Sequence, residues 1–315
     1  MASTPKISIC IPAYKNVGFL KRLLDSIAIQ TFADFEIIIS DDTPDTSVKN
    51  LVESYSFGQP VYYYSNIPAL GTPENWNEAI RRANGEWVKL MHNDDWFASD
   101  HALELFMEEV DRNPGCSFFF AAFQNVLEES GEREIVRCNR FDLAFLKVSP
   151  LHLFRRVYVG NPSCTLVRRD VNLFYDNRFK FVVDFEYYVR CFRKLGTYRY
   201  IDKILLNIGI HKEQVTKYTF LVPGIQIPEN TIMLNKFGFQ ILRNPVVYDY
   251  YWRMIRNLGI RSVSGMNQYF DGEIPKPLQR MVSRQAHFPL RLLKVGFISK
   301  VLMFMNYIGN LFKGN

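Results

Sequence analysis

Absences narrow the reading of this 315-residue chain before any motif does. It has few cysteines, an odd set (Cys10, Cys116, Cys138, Cys164 and Cys191) with no Cys-x-x-Cys spacing. That argues against a disulfide framework and a zinc site, and for a reducing compartment. The residues after Met1 show neither the basic nor the apolar region of a signal peptide, so a cytoplasmic location is expected. No apolar run reaches the roughly 18 residues a spanning helix needs, because Arg291, Lys294 and Lys300 interrupt the longest candidate. Repeats and low-complexity tracts are missing as well. Acidic residues are absent from Ile274 to Asn315, where seven Lys or Arg sit among Leu290, Leu293, Phe297, Val301, Phe304 and Ile308. The whole chain carries +6, so everything before that tail is close to neutral.

What is present is aromatic and alternating. With 26 Phe and 17 Tyr the chain can bury a substantial core. Strand-like runs are expected at Ile7–Ile11, Phe35–Ile39, Val61–Tyr64, Glu86–Leu90 and Ser117–Phe123. Helical spacing recurs in Phe19, Leu20, Leu23, Leu24 and Ile27, in Trp76, Ala79, Ile80 and Ala83, and in Leu103, Phe106, Met107 and Val110. A helix is also possible over 45–55. Thr72 reads as a helix N-cap with Pro73 at the first helical position. This alternation predicts βαβ units, a mostly parallel sheet, and one edge that collects Tyr14, Asp42 and Asp94-Asp95. Further on, Phe185–Phe192 reads as a helix. Thr197–Ile201 and Ile204–Ile210 read as paired strands, Asn244-Pro245 as a helix start, and 260–277 as a linker.

The densest chemistry is Met91-His92-Asn93-Asp94-Asp95-Trp96, two adjacent carboxylates just past a buried strand. Such a pair raises its own pKa unless a cation neutralises it, and Mg²⁺ or Mn²⁺ suits hard oxygen ligands. Asp-Asp is equally a common turn or capping sequence.

Several motifs in order resemble the inverting family 2 glycosyltransferases: Ile7-Ser8-Ile9-Cys10-Ile11-Pro12-Ala13-Tyr14-Lys15-Asn16, Leu24-Asp25-Ser26-Ile27, Gln30-Thr31-Phe32, Phe35-Glu36-Ile37-Ile38-Ile39-Ser40-Asp41-Asp42 and Ala83-Asn84-Gly85-Glu86-Trp87-Val88. The resemblance covers roughly 5–125 closely and 150–217 more loosely. It implies a GT-A fold: an α/β, Rossmann-like, mostly parallel central sheet flanked by helices, here with a helical C-terminal extension. Residues 1–125 would be the nucleotide-sugar half, 126–220 the acceptor and catalytic-base half of the same domain, and 221–315 the extension.

By that resemblance Tyr14 would stack on the donor base, with Pro12 shaping the turn beneath it, and Asp42 would accept from the base imide. Asn77 and Asn75 fall at donor-contacting positions. Asp95 would ligate Mn²⁺ or Mg²⁺, Asp94 would hold the ribose or share the metal, and His211 would be a further metal contact within His211-Lys212-Glu213-Gln214-Val215-Thr216. Asp184 would be the base that deprotonates the acceptor hydroxyl, with Glu186 as the alternative; Asp184 is also placed to N-cap its helix. Gly160-Asn161-Pro162-Ser163 resembles an acceptor-side loop. His92 stands where the family has its first Asp, and Val183 where it has Glu.

The implied activity is metal-dependent, inverting transfer of a sugar, of hexosyltransferase type, from a nucleotide-diphosphate donor, UDP-linked in first expectation. The acceptor would be a hydroxyl of a cell-surface glycan or lipid-linked oligosaccharide. The alternative is a non-catalytic nucleotide- or sugar-binding protein with a degenerate site. Nucleotidyl transfer would need a Gly-rich basic loop after the first strand, and Pro12–Asn16 is not one. The tail, 277–313, reads as an in-plane amphipathic helix on the inner face of the cell membrane. Its bland alternative is packing on the domain or an oligomer contact. Nucleic acid is not an expected partner.

Overall fold

A computed structural model describes residues 4–311. The chain divides into two compact units. Of the described residues, one comprises 4–143, 158–177 and 183–212; the other comprises 144–157, 178–182 and 213–311.

The first unit is built on a nine-stranded sheet. Its strands are β1 (Ile7–Ala13), β2 (Phe35–Asp41), β3 (Val61–Ser65), β4 (Trp87–Leu90), β5 (Trp96–Phe97), β6 (Phe118–Leu127), β7 (Arg133–Val136), β8 (Thr165–Arg168) and β9 (Arg199–Ile210). They lie in the order β3-β2-β1-β4-β8-β6-β9-β5, with β7 beside β6. The half formed by β3, β2, β1 and β4 is wholly parallel. β1, β2 and β4 are buried along their whole length, which is why they read as continuous apolar runs rather than alternating ones. Beyond β4 the sheet is mixed: β8 runs antiparallel to both β4 and β6, while β6 and β9 are parallel.

Helices α1 (Val17–Ala28), α2 (Ser47–Glu53), α3 (Glu74–Arg81), α4 (Ala102–Arg112), α5 (Arg140–Val148) and α6 (Val183–Leu195) interleave with these strands. Leu20, Leu23, Leu24 and Ile27 of α1 and Leu103 and Phe106 of α4 enter the main core beside Ile9, Ile37 and Phe119. Pairing of Ala13 with Asp41 and of Cys10 with Leu90 brings the carboxyl ends of β1, β2 and β4 to one edge, as the alternation predicts.

Two expectations fail here. α3 starts at Glu74 with Pro73 in the capping position, and no side-chain cap bond forms, so Thr72 is not the cap. Within 197–210 there is one long strand, β9, rather than a pair of strands. Its register against β6 slips after Ala121 and again after Ala122, and the chain continues through Asp202 and Lys203 without turning back.

The second unit is helical: α7 (Val215–Thr219), α8 (Pro223–Phe237), α9 (Pro245–Asn257), α10 (Val263–Asn267), α11 (Lys276–Ala286), α12 (Leu290–Lys294) and α13 (Gly296–Leu311). Asn244 caps α9 as its sequence suggests, its side chain accepting from Val246 N at 2.9 Å. The segment 260–277 is not a loose linker, because it contains α10 and buries Ile260, Met266 and Ile274. The tail is three helices, not one. Lys300, which fits no polar face of a single long helix, pairs with Asp249 of α9 at 2.8 Å. No helix among the described residues is long and apolar enough to cross a membrane. Phe312 and Lys313 of the expected amphipathic segment lie outside the described residues.

Candidate active site

The edge formed by β1, β2 and β4 carries the candidate groups. After buried Pro12 the chain leaves β1 through Tyr14, and Lys15 and Asn16 follow with φ near +50°, at 51° and 46°. Two successive non-glycine residues in the left-handed region are a local cost met at working sites more than elsewhere. Thr43 Oγ1 accepts from Lys15 N at 2.7 Å and fixes this turn. The Tyr14 ring stands 54% exposed, with Lys15 Nζ 4.9 Å from its centroid. A flat, half-free aromatic there can stack on a planar ligand.

Asp42, just past β2, is buried and accepts from Leu70 N (3.0 Å), Gly71 N (2.7 Å) and Asn66 Nδ2 (2.9 Å). It therefore pins the loop 66–71 over the edge. Asn66 Nδ2 also reaches Ser40 Oγ and Asn75 Oδ1, and Asn75 Nδ2 donates to Ala13 O at 3.2 Å. Asn77 lies deeper. Its amide donates to Tyr175 O at 2.9 Å and its oxygen accepts from Tyr175 N at 2.8 Å, a reciprocal clamp between α3 and the 175 loop.

The acid pair sits beyond β4. Asp95 is 1% exposed; its Oδ2 accepts from Asn161 Nδ2 at 2.7 Å and its Oδ1 from Gly209 N at 3.2 Å. Burial and the neighbouring charge of Asp94 push the Asp95 carboxyl well above its usual range. Asp94 Oδ2 lies 2.9 Å from His211 Nε2. Burial alone would raise Asp94, but the His211 hydrogen bond and the charges of His92 and His211 outweigh it and hold Asp94 low. His92, kept low by burial, rests against Trp76 with ring centroids 4.5 Å apart and donates its backbone N–H to Ser163 Oγ at 2.9 Å.

Ligand atoms of His92, Asp94 and Asp95 all lie within 4.8 Å of one another. The Nε2 of His92 is buried without a hydrogen-bond partner among the described residues. An imidazole whose Nδ1 lies 3.9 Å from Asp95 Oδ2 and whose Nε2 is unpartnered, set beside two adjoining carboxylates, is a donor set that fits a divalent cation. The position read as a departure from an acid, His92, thus joins the cluster. His211 Nε2 faces Asp94 and orients that carboxylate in this geometry, while its Nδ1 is buried with no hydrogen-bond partner among the described residues.

Asp184 is half-buried in the first turn of α6, one residue inside the helix rather than at its cap. Burial pushes its carboxyl up to about 6, against hydrogen bonds from backbone N–H groups at its own position and Phe185. The Tyr188 hydroxyl of α6 donates to Gly160 O at 3.2 Å, next to the Asn161 that binds Asp95, so the helix carrying Asp184 is tied to the loop behind the acid pair. Glu186 is fully buried and paired with Arg190 Nε at 2.6 Å, which removes it as a free base.

Four further residues support this site in roles that sequence reading did not assign, although Asn161 and Ser163 lie in the segment expected as an acceptor-side loop. Asn161 and Ser163 bind Asp95 and the His92 backbone from about seventy positions away. Lys89, fully buried within β4, donates to Ser163 O; burial lowers it to about 7. A charged residue inside an otherwise apolar strand was its one visible signal. Gly209 approaches so closely that a Cβ there would stand 2.5 Å from Asp94 O.

A family model described as glycosyl transferase family 2 matches residues 8–174. An uncharacterized glycosyltransferase of Haemophilus influenzae is 32% identical over 114 residues, 36% of this chain and 37% of that protein. The GalNAc(5)-diNAcBac-PP-undecaprenol beta-1,3-glucosyltransferase of Campylobacter jejuni is 29% identical over 109 residues, 34% and 35% of the two chains. The match thus spans about a third of the length of these curated relatives. In overall fold the chain is similar to residues 1–349 of S. aureus TarS in complex with UDP-GlcNAc, with a TM-score of 0.66 at 15% identity, covering 97% of this chain and 92% of that one. Since the matched stretch holds more than half of the sequence, including Tyr14, Asp42 and the whole His92–Asp94–Asp95 cluster, the chain belongs to glycosyl transferase family 2 and has the GT-A fold.

Proposed function

We propose that the protein is a metal-dependent, inverting glycosyltransferase of hexosyltransferase type, taking a sugar from a UDP-linked donor to a hydroxyl of a glycan or lipid-linked saccharide. The observation that carries this is the meeting, at one sheet edge, of an exposed stacking ring, the Asp42-pinned loop and the His92–Asp94–Asp95 cluster. In this reading Tyr14 stacks on the base, and Pro12 and Asp42 set the turn and loop that border it. Asn77 holds the wall behind them. Asp94 and Asp95, with His92, hold Mn²⁺ or Mg²⁺, and His211 orients Asp94. The cation supplies charge neutralisation for the departing diphosphate.

Asp184 takes the proton of the acceptor hydroxyl as its oxygen attacks the anomeric carbon from the face opposite the leaving group. A carboxyl at about 6 is ionised at neutral pH and still basic enough to accept that proton. The UDP preference leans on the fold likeness to TarS, whose structures include complexes with UDP-GlcNAc and with UDP. The lipid-linked acceptor leans on the Campylobacter relative, which is named for a polyprenyl-diphosphate saccharide. With such an acceptor goes peripheral attachment to the cytoplasmic membrane face through the basic tail.

A thermal-shift panel tests the donor and metal together. UDP with Mn²⁺ should stabilise the protein, and GDP, CMP and dTDP should not; at a hundred times Kd the gain is about 2.7 kcal/mol. Asp95→Ala should abolish the metal-dependent part. No shift with any nucleotide and metal would replace this reading with a non-catalytic member of the family.

A further inference from the structure

The last helix of the second unit has two unlike faces. Ser299, Met303 and Tyr307 of α13 are buried. Trp252 Nε1 and Arg256 donate to Ser299 Oγ at 3.1 and 3.0 Å. Asn306 and Asn310 donate to the Tyr248 hydroxyl oxygen at 2.7 and 2.6 Å, and the Tyr307 hydroxyl donates to Arg243 O at 2.5 Å. The inner face is therefore held in place by polar bonds, so the orientation of the outer face is fixed. That outer face is apolar: Phe297 is 80% exposed, Met305 57% and Phe304 54%, with Val301, Ile308 and Leu311 beside them. At 100° per residue these six fall within an arc of about 120°.

Next to the carboxyl end of this ridge is a hollow of about 60 Å³, lined among others by Arg243, Arg280, Tyr248, Asn310 and Leu311. Arg243 is exposed and Arg280 half-buried. Neither guanidinium has a hydrogen bond or ion pair among the described residues. The Tyr248 oxygen accepts two amides, and its own proton has no acceptor among the described residues. Two guanidiniums and a phenol lining one hollow beside exposed apolar side chains match a phosphate joined to acyl chains.

The geometry points to an anionic-phospholipid site: the lipid phosphate sits between Arg243 and Arg280, and Phe297, Val301, Phe304, Met305 and Ile308 enter the bilayer beside it. This rests on the peripheral-membrane reading above and adds to it a defined headgroup position. The charge pattern selects a membrane over a second copy of the chain. The segment 274–311 holds no acid; with Lys300 paired to Asp249, it keeps Lys276, Arg280, Arg284, Arg291 and Lys294, an excess that would oppose a two-fold contact between copies but favours an anionic leaflet.

Co-sedimentation of the full chain with vesicles decides it. Wild type should bind phosphatidylcholine vesicles containing phosphatidylglycerol and bind pure phosphatidylcholine far less. Arg243→Gln with Arg280→Gln should weaken that binding about tenfold or more. The control pair Lys276→Gln with Lys294→Gln, both exposed and outside the hollow, should weaken it much less. Phe297→Ser with Phe304→Ser should remove binding, while the nucleotide thermal shift stays unchanged in every variant. Equal losses from the two charge pairs would overturn the headgroup site and leave membrane attachment standing as diffuse attraction. Arginine-dependent binding of inorganic phosphate without vesicle binding would overturn the lipid as ligand. A wild type that ignores all vesicles, or a dimer dissolved by Phe304→Ser, would overturn both the site and the membrane reading.

Discussion

Asp184 and Glu186 are two residues apart on α6, and their surroundings give them opposite roles. Glu186 is locked to Arg190, whereas Asp184 has no cationic partner among the described residues and is raised to about 6 by burial. As a base Asp184 must be ionised, so kcat/KM should rise with pH through about 6 and level off above it. Asp184→Asn should cost on the order of 10²- to 10⁴-fold in kcat. The same raised pKa makes the folded protein bind its proton more tightly than the unfolded chain does, so stability falls as pH rises from the ordinary carboxylate range through about 6. Asp184→Asn should therefore gain about 2 kcal/mol at neutral pH, readable by urea melts. Glu186→Gln should do the reverse: it leaves Arg190 charged and under-partnered, costs about 3 kcal/mol, and keeps turnover in the folded fraction. Transfer that survives Asp184→Asn and vanishes in Glu186→Gln at full folding would exchange the two roles.

Between elements, the tightest constraint is the approach of β9 to the acid pair. Gly209 donates its N–H to Asp95, and a methyl group there would press on the Asp94 carbonyl, backbone that has no rotamer to escape into. Gly209→Ala should cost about 1–3 kcal/mol, and more tellingly should weaken metal-dependent nucleotide binding by displacing both carboxylates. A variant with a wild-type nucleotide shift would show that β9 does not shape the site. This contact also marks the boundary of what was legible in advance. β1, β2 and β4 were readable because a strand buried on both faces must be continuously apolar, and the acids that follow such a strand must lie at its carboxyl edge. The binding partners of Asp95 are another matter. Asn161 and Gly209 lie 66 and 114 positions away, one in a loop and one in β9, and no local spacing encodes a hydrogen bond between segments so far apart in the chain. The split reading of 197–210 failed for a related reason: Asp202 and Lys203 look like a turn, but pairing with β6 carries the strand through them. Thr72 failed as a cap because its neighbour Pro73 already occupies that position.

Across the whole sheet unit, burial is shared by many residues rather than concentrated at one site, and the cysteines report on it. None forms a disulfide among the described residues, all five are buried, and all fall in the first unit. Cys10 lies inside β1, Cys164 beside the acid cluster and Cys191 on α6. Burial raises the Cys10, Cys116 and Cys164 thiols and lifts Cys191 to about 12, so almost no thiolate is present at neutral pH. A soluble disulfide reagent should thus find no fast thiol in the native protein and five in denaturant. Labelling at intermediate urea should follow opening of the sheet, with Cys10, Cys164 and Cys191 reacting together if the unit opens as one. UDP with Mn²⁺ should slow all three by the factor 1 + [L]/Kd, since the ligand binds only the closed form. Cys116 is the sharpest check, because it lies just before β6, away from the acid cluster. If the nucleotide slowed Cys164 and left Cys116 untouched, the unit would open in pieces, and binding would be local to the sheet edge rather than a property of the whole sheet.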